Sequence, residues 1–535
     1  MKSSARLTGS HGSAGSAGSA GDAALERLAD AILIPPFPDT TTAPRWLLSA
    51  LERGLAGVTL FAPNMAAGAE KLASLTASLR SAADDVLVAA DEEGGDVTRV
   101  WYHSGSPYPG NAALGAVDDV DLTEQVHAAL GRDLAALGIN LDLAPCLDVL
   151  AAPLNPVIGT RSFGASPELV SRHGAAAVRG LQSAGVAACA KHFPGHGSTV
   201  LDSHLELAVV DGGADAIATR DLPPFQAAIA AGILTMMPGH LRVPGLTGSL
   251  PASLSDEAIA LLRQGLGFDG VVVTDALEMR AVSGPYGIPG ASVRAVAAGN
   301  DLLCLGRDVP EEGYLAVRAA IVKAVQCGSL PGSRLEEAAA RVAALRARLG
   351  AQRAAQRTSQ RLSQGGAVPV DGLDGLDGLD GTDAIGLVAI GLVAARRALR
   401  LTGPLPELRD PVVVEVTPVA NMAAGDAHWG LAGWVHTENL HRVAPSPDPL
   451  AAAAVTLKAG AGRPLIVAVR DAHRSAATQA LVTSVLAERP DAVLVEMGLP
   501  YWQPPAGTYQ TYLATYGASR ANTQAAAELL GVAVS

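Results

Sequence analysis

GFDGVVVTDALEM, residues 267–279, opens on glycines, runs through a short β-branched segment and leaves it at a carboxylate, Asp275. An apolar run of this length, closed by a polar residue and followed by helical periodicity, reads as a buried strand of a parallel sheet with its crossover helix. The same unit recurs on both sides. Eight such runs fall between about residues 30 and 350, at 32–35, 57–61, 86–90, 139–143, 186–191, 232–236, 270–274 and 301–305. Eight strand–helix units predict an α/β chain closed into a (β/α)8, TIM-like barrel. An open doubly wound sheet is the alternative, and it would gather its polar residues at one switch point. Here Asp91, Lys191, His192, His240 and Asp275 fall at or just past the C-terminal ends of different runs, the pattern of a ring.

Outward from the barrel, assigned to residues 28–351, the composition changes at both ends. Residues 1–27 are rich in Gly, Ser and Ala and read as a flexible tail. Residues 352–383 contain DGLDGLDGLDG, a repeat too small and polar to build a core, and read as a linker. Beyond it, residues 384–535 open on a duplicated IGLVA in an apolar helix. Buried strands follow at Val412–Val416, Leu465–Val469 and 492–496, which predicts a smaller α/β domain of sandwich type. Its end, TYLATYGASRANTQAAAELLG, reads as an aromatic-bearing loop and a helix from about Asn522.

With 535 residues, 49% apolar and 17% charged, the chain can bury two cores. A net charge of −13 without a basic cluster argues against nucleic acid or an anionic membrane as partner, so a small-molecule substrate is expected. No apolar run reaches the roughly 18 residues of a membrane span, and no apolar leader opens the chain, which favours the cytoplasm. Cys146, Cys189, Cys304 and Cys327 are widely separated, without CxxC spacing, and read as small buried hydrophobes.

Three stretches carry candidate chemistry. KHFPGHGSTVLDSH, residues 191–204, brings five ionisable side chains together after the fifth run. Pro194, Gly195 and Gly197 forbid a continuous helix, so His192, His196 and His204 do not share a helical face as zinc ligands would, and no metal or other cofactor is expected. Asp202 and His204 can meet across a tight turn as a proton-transfer pair, the carboxylate fixing the imidazole; the plain alternative is Asp202 capping a turn. Asp275 is set to face the barrel mouth, with a helix N-cap as its ordinary alternative, while Glu278 suits solvation or capping. In VLVAADEEGGDVTRV, Asp91 and Arg99 suit hydrogen bonds to vicinal sugar hydroxyls, or simply a mutual salt bridge; Arg161 is a further buried donor or salt-bridge partner. Phosphate-loop, Gly-x-Ser-x-Gly and CxxC motifs are missing from the sequence, and a carboxylate and histidine inventory suits acid/base cleavage of an acetal.

DEEGG, NPVIGTRSFG, AKHFPGHG with DSH, PASLS, TDALEM and AAGNDLL stand in the order in which glycoside hydrolase family 3 carries them. From about residue 28 to the C-terminus the chain resembles that family's NagZ-type β-N-acetylhexosaminidases. The resemblance implies a retaining mechanism with Asp275 as nucleophile and the Asp202/His204 dyad as general acid/base. By motif position it implies that Asp91, Arg99, Arg161, Lys191 and His192 hold the N-acetylglucosamine ring, with His240 and Met279 lining the pocket. The implied substrates are N-acetylglucosaminides of the kind met in peptidoglycan turnover. A phosphorylase passing the sugar to phosphate, a β-glucosidase-like enzyme and a non-catalytic sugar-binding protein are the alternatives. One departure is Asp96, where the family commonly has arginine after EEGG; a reversed charge at the pocket mouth is expected to weaken binding of anionic muramyl groups. The C-terminal region is expected to serve stability or interdomain packing.

Overall fold

A computed structural model of the chain describes residues 14–38, 41–201, 206–363, 385–417, 429–444 and 448–533. Eight parallel strands form the barrel of the first domain: β1 (Leu33–Ile34), β2 (Gly57–Leu60), β3 (Leu87–Ala90), β4 (Leu141–Asp142), β5 (Ala187–Phe193), β6 (Thr235–Pro238), β7 (Val271–Val272) and β8 (Leu303–Cys304), with the short segments Ala208–Val209 and Leu241–Arg242 pairing outside it. Strands β2 to β7 pair in sequence order, and β8 pairs with β1. Bonds from Thr59 N to Pro35 O (3.2 Å) and from Thr274 N to Leu302 O (2.9 Å) join β1 to β2 and β7 to β8, so the ring closes as the eightfold pattern predicts. Each predicted run contains its strand or overlaps it. The sixth lies later than expected, because Gly232, at φ 80°, is still finishing the preceding helix Leu222–Ala230.

A period of two sorts the strand side chains. Val88 and Ala90 of β3 and Ala188 and Ala190 of β5 face the helical layer. Leu87, Ala89, Ala187, Cys189, Val271 and Val273 fill the barrel interior with Cys304. Val342, Leu345 and Leu349, from the helix Gly332–Ser363, join that interior cluster. Continuing the inward parity by one step gives Asp91 after Leu87 and Ala89, Lys191 after Ala187 and Cys189, and Asp275 after Val271 and Val273. Three charged groups therefore crown three apolar columns at the C-terminal end of the barrel.

The second domain is a six-stranded sheet of β9 (Arg400–Thr402), β10 (Val412–Val416), β11 (Leu440–Val443), β12 (Leu465–Val469), β13 (Val493–Glu496) and β14 (Thr511–Ala514). Their order is β9-β14-β13-β12-β10-β11, with β9 antiparallel. Alternate residues of the central strands enter separate cores on the two faces, so the α/β domain of sandwich type that the sequence predicts has three layers. Helix Ile385–Ala398 packs against Asn111–Val117 and Val120–Ala136 of the barrel. No helix among the described residues is long and apolar enough to cross a membrane.

Some expectations require correction. TYLA, 511–514, is a strand rather than a loop, because Tyr512 and Leu513 pack into opposite cores. Helix Ala14–Asp30 takes in part of the stretch read as a flexible tail; Asp30 accepts from Tyr314 Oη at 2.5 Å and so ties the helix end to Glu311–Gln326. Helix Gly332–Ser363 likewise runs into the stretch read as a linker. Cys327 is exposed, whereas Cys146, Cys189 and Cys304 are buried as expected.

Candidate active site

Strand β3 ends at Ala90, and the next residues deliver Asp91, Glu92 and Glu93 into a turn made by Gly94 and Gly95, both left-handed at φ 69° and 62°. A Cβ on Gly95 would run into the Gly110 backbone, so the turn seats only with glycine there. From β5, Lys191 reaches across the barrel mouth to Asp91 Oδ1 at 2.7 Å and to Glu93 Oε1 at 2.7 Å. Arg161, in a short 3-10 turn, closes on Glu93 through Nε at 2.9 Å and Nη2 at 2.8 Å. Arg99 stands 4.0 Å from the other oxygen of Asp91. The sequence left a mutual Asp91–Arg99 bridge open; the closer partner of Asp91 is Lys191.

Glu93, Lys191 and Arg161 are all buried, so their charges stand in a low dielectric and must be balanced locally. Burial alone would raise the Glu93 carboxyl, but Arg161 and Lys191 outweigh it and hold the group far below the usual carboxylate range. Burial would likewise lower Lys191, yet Asp91 and Glu93 keep it well above an ordinary lysine. The cluster is therefore ionised throughout the physiological range, a fixed array of donors and acceptors suited to vicinal hydroxyls and an amide. Glu92 behaves differently. It accepts from Thr98 Oγ1 and from the amides of Arg99 and Val100, but burial outweighs these donors and pushes its carboxyl up to about 7.

His192 lies beside Arg161, with 3.4 Å from Nε2 to Nη2, and its Nδ1 is 2.7 Å from Asp148 Oδ2. Asp148 also accepts the amides of His192 (3.2 Å) and His196 (2.6 Å), and the Cys146 thiol donates to it at 3.1 Å. Cys146, Asp148 and His192 offer ligand atoms within 4.8 Å of one another, but those atoms are engaged with each other through Asp148. His240 is buried between Ser253 Oγ (2.6 Å) and the carbonyl of Ala276 (3.0 Å) and so buttresses the peptide that follows Asp275. Met279 is buried just before helix Arg280–Ala298.

Asp275 is half-buried, three residues past β7, and its Oδ1 accepts the Ala276 amide at 2.8 Å. It does not cap the helix Arg280–Ala298, whose N-cap position is Met279, so the ordinary alternative for this residue falls away. Glu278 instead binds the amides of Arg307 and Asp308, tying the loop after β7 to the loop after β8. Asp202 and His204 lie outside the described residues. The segment that leads to them is held by Asn155, whose Nδ2 donates to the His196 carbonyl at 2.8 Å.

Two carboxylates were missed as site residues. Glu93 was passed over beside Asp91, although it is the bridge between both buried cations. Asp148 could have been found as the carboxylate just past the fourth strand in LAPCLDVL. Asp96 needs correction: it is buried rather than at the pocket mouth, accepts from Thr160 Oγ1 at 2.6 Å, and pairs with Arg470 of the second domain at 2.7 Å. Its charge is neutralised inside the interface, which removes the argument for repulsion of anionic substrates.

Residues 41–345 match the profile described as the glycosyl hydrolase family 3 N terminal domain. The chain is 35% identical over 334 residues to β-hexosaminidase A of Pseudoalteromonas piscicida, covering 57% of this chain and 56% of that protein. It is 39% identical over 269 residues to β-hexosaminidase LpqI of Mycobacterium tuberculosis, covering 49% of this chain and 68% of that protein. Among solved structures, a family 3 β-N-acetylglucosaminidase from Paenibacillus sp. str. FPU-7 superposes with a TM-score of 0.81 at 31% identity, over 95% of this chain and 97% of that one. The first of these relatives is spanned for little more than half its length, but the Paenibacillus structure aligns across both domains. With the barrel, its crown of charges and a family match over more than half its residues, the chain belongs to glycosyl hydrolase family 3.

Proposed function

We propose that this chain is a retaining β-N-acetylhexosaminidase that releases terminal N-acetylglucosamine from β-glycosides, including peptidoglycan-turnover fragments. The observation that carries the reading is the balanced Asp91–Lys191–Glu93–Arg161 array at the same C-terminal end of the barrel as Asp275. A sugar ring held by Asp91, Arg99, Arg161, Lys191 and His192 presents its anomeric carbon to Asp275. Asp275 attacks it while His204, oriented by Asp202, protonates the leaving oxygen. The same imidazole then takes a proton from the water that hydrolyses the glycosyl-enzyme. This deepens what the two β-hexosaminidases and the Paenibacillus enzyme are named for, and their identity to this chain supports the N-acetyl sugar.

The test is hydrolysis of an aryl β-N-acetylglucosaminide and of the matching β-glucoside, each with and without phosphate, with the product anomer followed by NMR. Preferential cleavage of the first with release of the β-anomer, independent of phosphate, is expected. A phosphate requirement with formation of sugar-1-phosphate would make the protein a phosphorylase. Glucoside preference would overturn the N-acetyl assignment.

A further inference from the structure

We infer that Arg470 of the second domain is a positioning residue for the sugar-holding cluster of the barrel and acts on it through Asp96. The inference rests on reading the Asp91, Glu93, Arg161 and Lys191 array as the ring-holding site. Asp96 stands at the far side of the two-glycine turn from Glu93, and that turn is narrow enough for Glu93 N to reach Val97 O at 3.0 Å. Its carboxylate takes two donors from the second domain, Arg470 Nη2 on Oδ2 at 2.7 Å and Ala518 N on Oδ1 at 2.9 Å. It also takes one from the barrel, Thr160 Oγ1 on Oδ2 at 2.6 Å.

Thr160 is the chain neighbour of Arg161, which grips Glu93 from the other side. The route Asp96, Thr160, Arg161, Glu93 and back through Gly94 and Gly95 is thus a closed loop of covalent and hydrogen-bonded links. Arg470 is fastened to it from outside the barrel. Arg470 itself stands one residue past β12 with a side chain 10% exposed. Burial disfavours its charge, but Asp96 and Asp471 more than offset that and keep the guanidinium ionised.

Charge decides the consequence. Asp96 is buried a few residues from Glu93, and without Arg470 it would be an uncompensated anion beside another. Relief would come from moving the turn, swinging Asp96 toward solvent and drawing Thr160 and Glu93 with it. Leu499 and Tyr516 of the second domain pack with Val97, Ala112 and Ile158, so an apolar contact remains when the ion pair is removed. The role is therefore separable from domain docking. Loss of Arg470 lowers the fraction of molecules with Glu93 and Arg161 correctly set, and apparent sugar affinity falls by that fraction.

The experiment compares full-length wild type with Arg470→Ala and Arg470→Lys, well below the Tm of each. It reads kcat and KM on an aryl β-N-acetylglucosaminide, and the calorimetric Kd for N-acetylglucosamine. For Arg470→Ala, KM and Kd rise about tenfold while kcat changes by less than about threefold, because the competent state once formed is unaltered. Arg470→Lys restores part of the affinity, since it keeps the charge without the planar fork, and it carries the test if the alanine variant does not fold. KM and Kd within about twofold of wild type in the folded variants, with only Tm lowered, would reduce Arg470 to a domain clamp and overturn the inference. A wild type that binds the sugar without turnover contradicts the hydrolase reading but leaves the Kd comparison decisive. A wild type that binds no N-acetylglucosamine removes the ring-holding reading and this inference together.

Discussion

Glu93 lies between Lys191 and Arg161, and its negative charge is what lets both cations remain buried. Glu93→Gln keeps the shape and leaves the cations undercompensated, which is expected to cost about 3 to 5 kcal/mol, a fall of roughly 10 °C in Tm by thermal unfolding. Glu92, its chain neighbour, has the opposite electrostatics. Its folded value of about 7 lies above the ordinary 4.5, so between the two the folded chain holds a proton that the unfolded chain has released. This contribution to stability is fully present below the ordinary value and is lost as pH rises through about 7. Glu92→Gln removes the titration, so the Tm of the variant relative to wild type should climb between about pH 5 and about pH 8. A constant difference across that range would show that Glu92 does not titrate there.

Loops, more than strands, decide whether this site forms. The segment after β5 is pinned by Asp148, which accepts the amides of His192 and His196 along with the His192 ring nitrogen. Asp148→Asn presents an amide that cannot accept all of these bonds. Loss of this support is expected to lower kcat/KM about 10- to 100-fold, because a misplacement of about 1 Å in a substrate-positioning loop costs on the order of 100-fold, with a smaller effect on Tm. Measured kcat/KM within about twofold of wild type would mean that the loop is held without it. The eight barrel strands were legible because most are short apolar runs bounded by glycine, proline or charge, with inward parity preserved up to Asp91, Lys191 and Asp275. Edge strands β9 and β11 were not, since Arg400 to Thr402 and Leu440 to Arg442 carry a single leucine each among polar residues and are largely exposed, without the alternation that marks a half-buried strand.

Between the domains, sequence reasoning had least to work with. Asp96 could be seen to depart from its family, but its partner Arg470 is far along the chain, and nothing local distinguishes a buried interface aspartate from an exposed one. The docking is broad: Trp429 Nε1 donates to Tyr102 O at 3.0 Å, His473 Nε2 lies 2.9 Å from Pro153 O, and Ala521 N donates to Ser106 O at 3.2 Å. Asp275 lies three residues past β7, a position that strand parity and chain order alone make legible, whereas Glu93 needs the three-dimensional convergence of Lys191 and Arg161 to be recognised. The role of Asp275 as nucleophile is tested most directly by the rate of aryl release from an aryl β-N-acetylglucosaminide by wild type and by Asp275→Ala. Ready turnover by the wild type is expected, with a fall of at least about 1,000-fold in the variant and the fold retained by circular dichroism. Turnover by Asp275→Ala at a rate near that of the wild type would contradict that role, since no covalent glycosyl-enzyme could then be forming on that carboxylate.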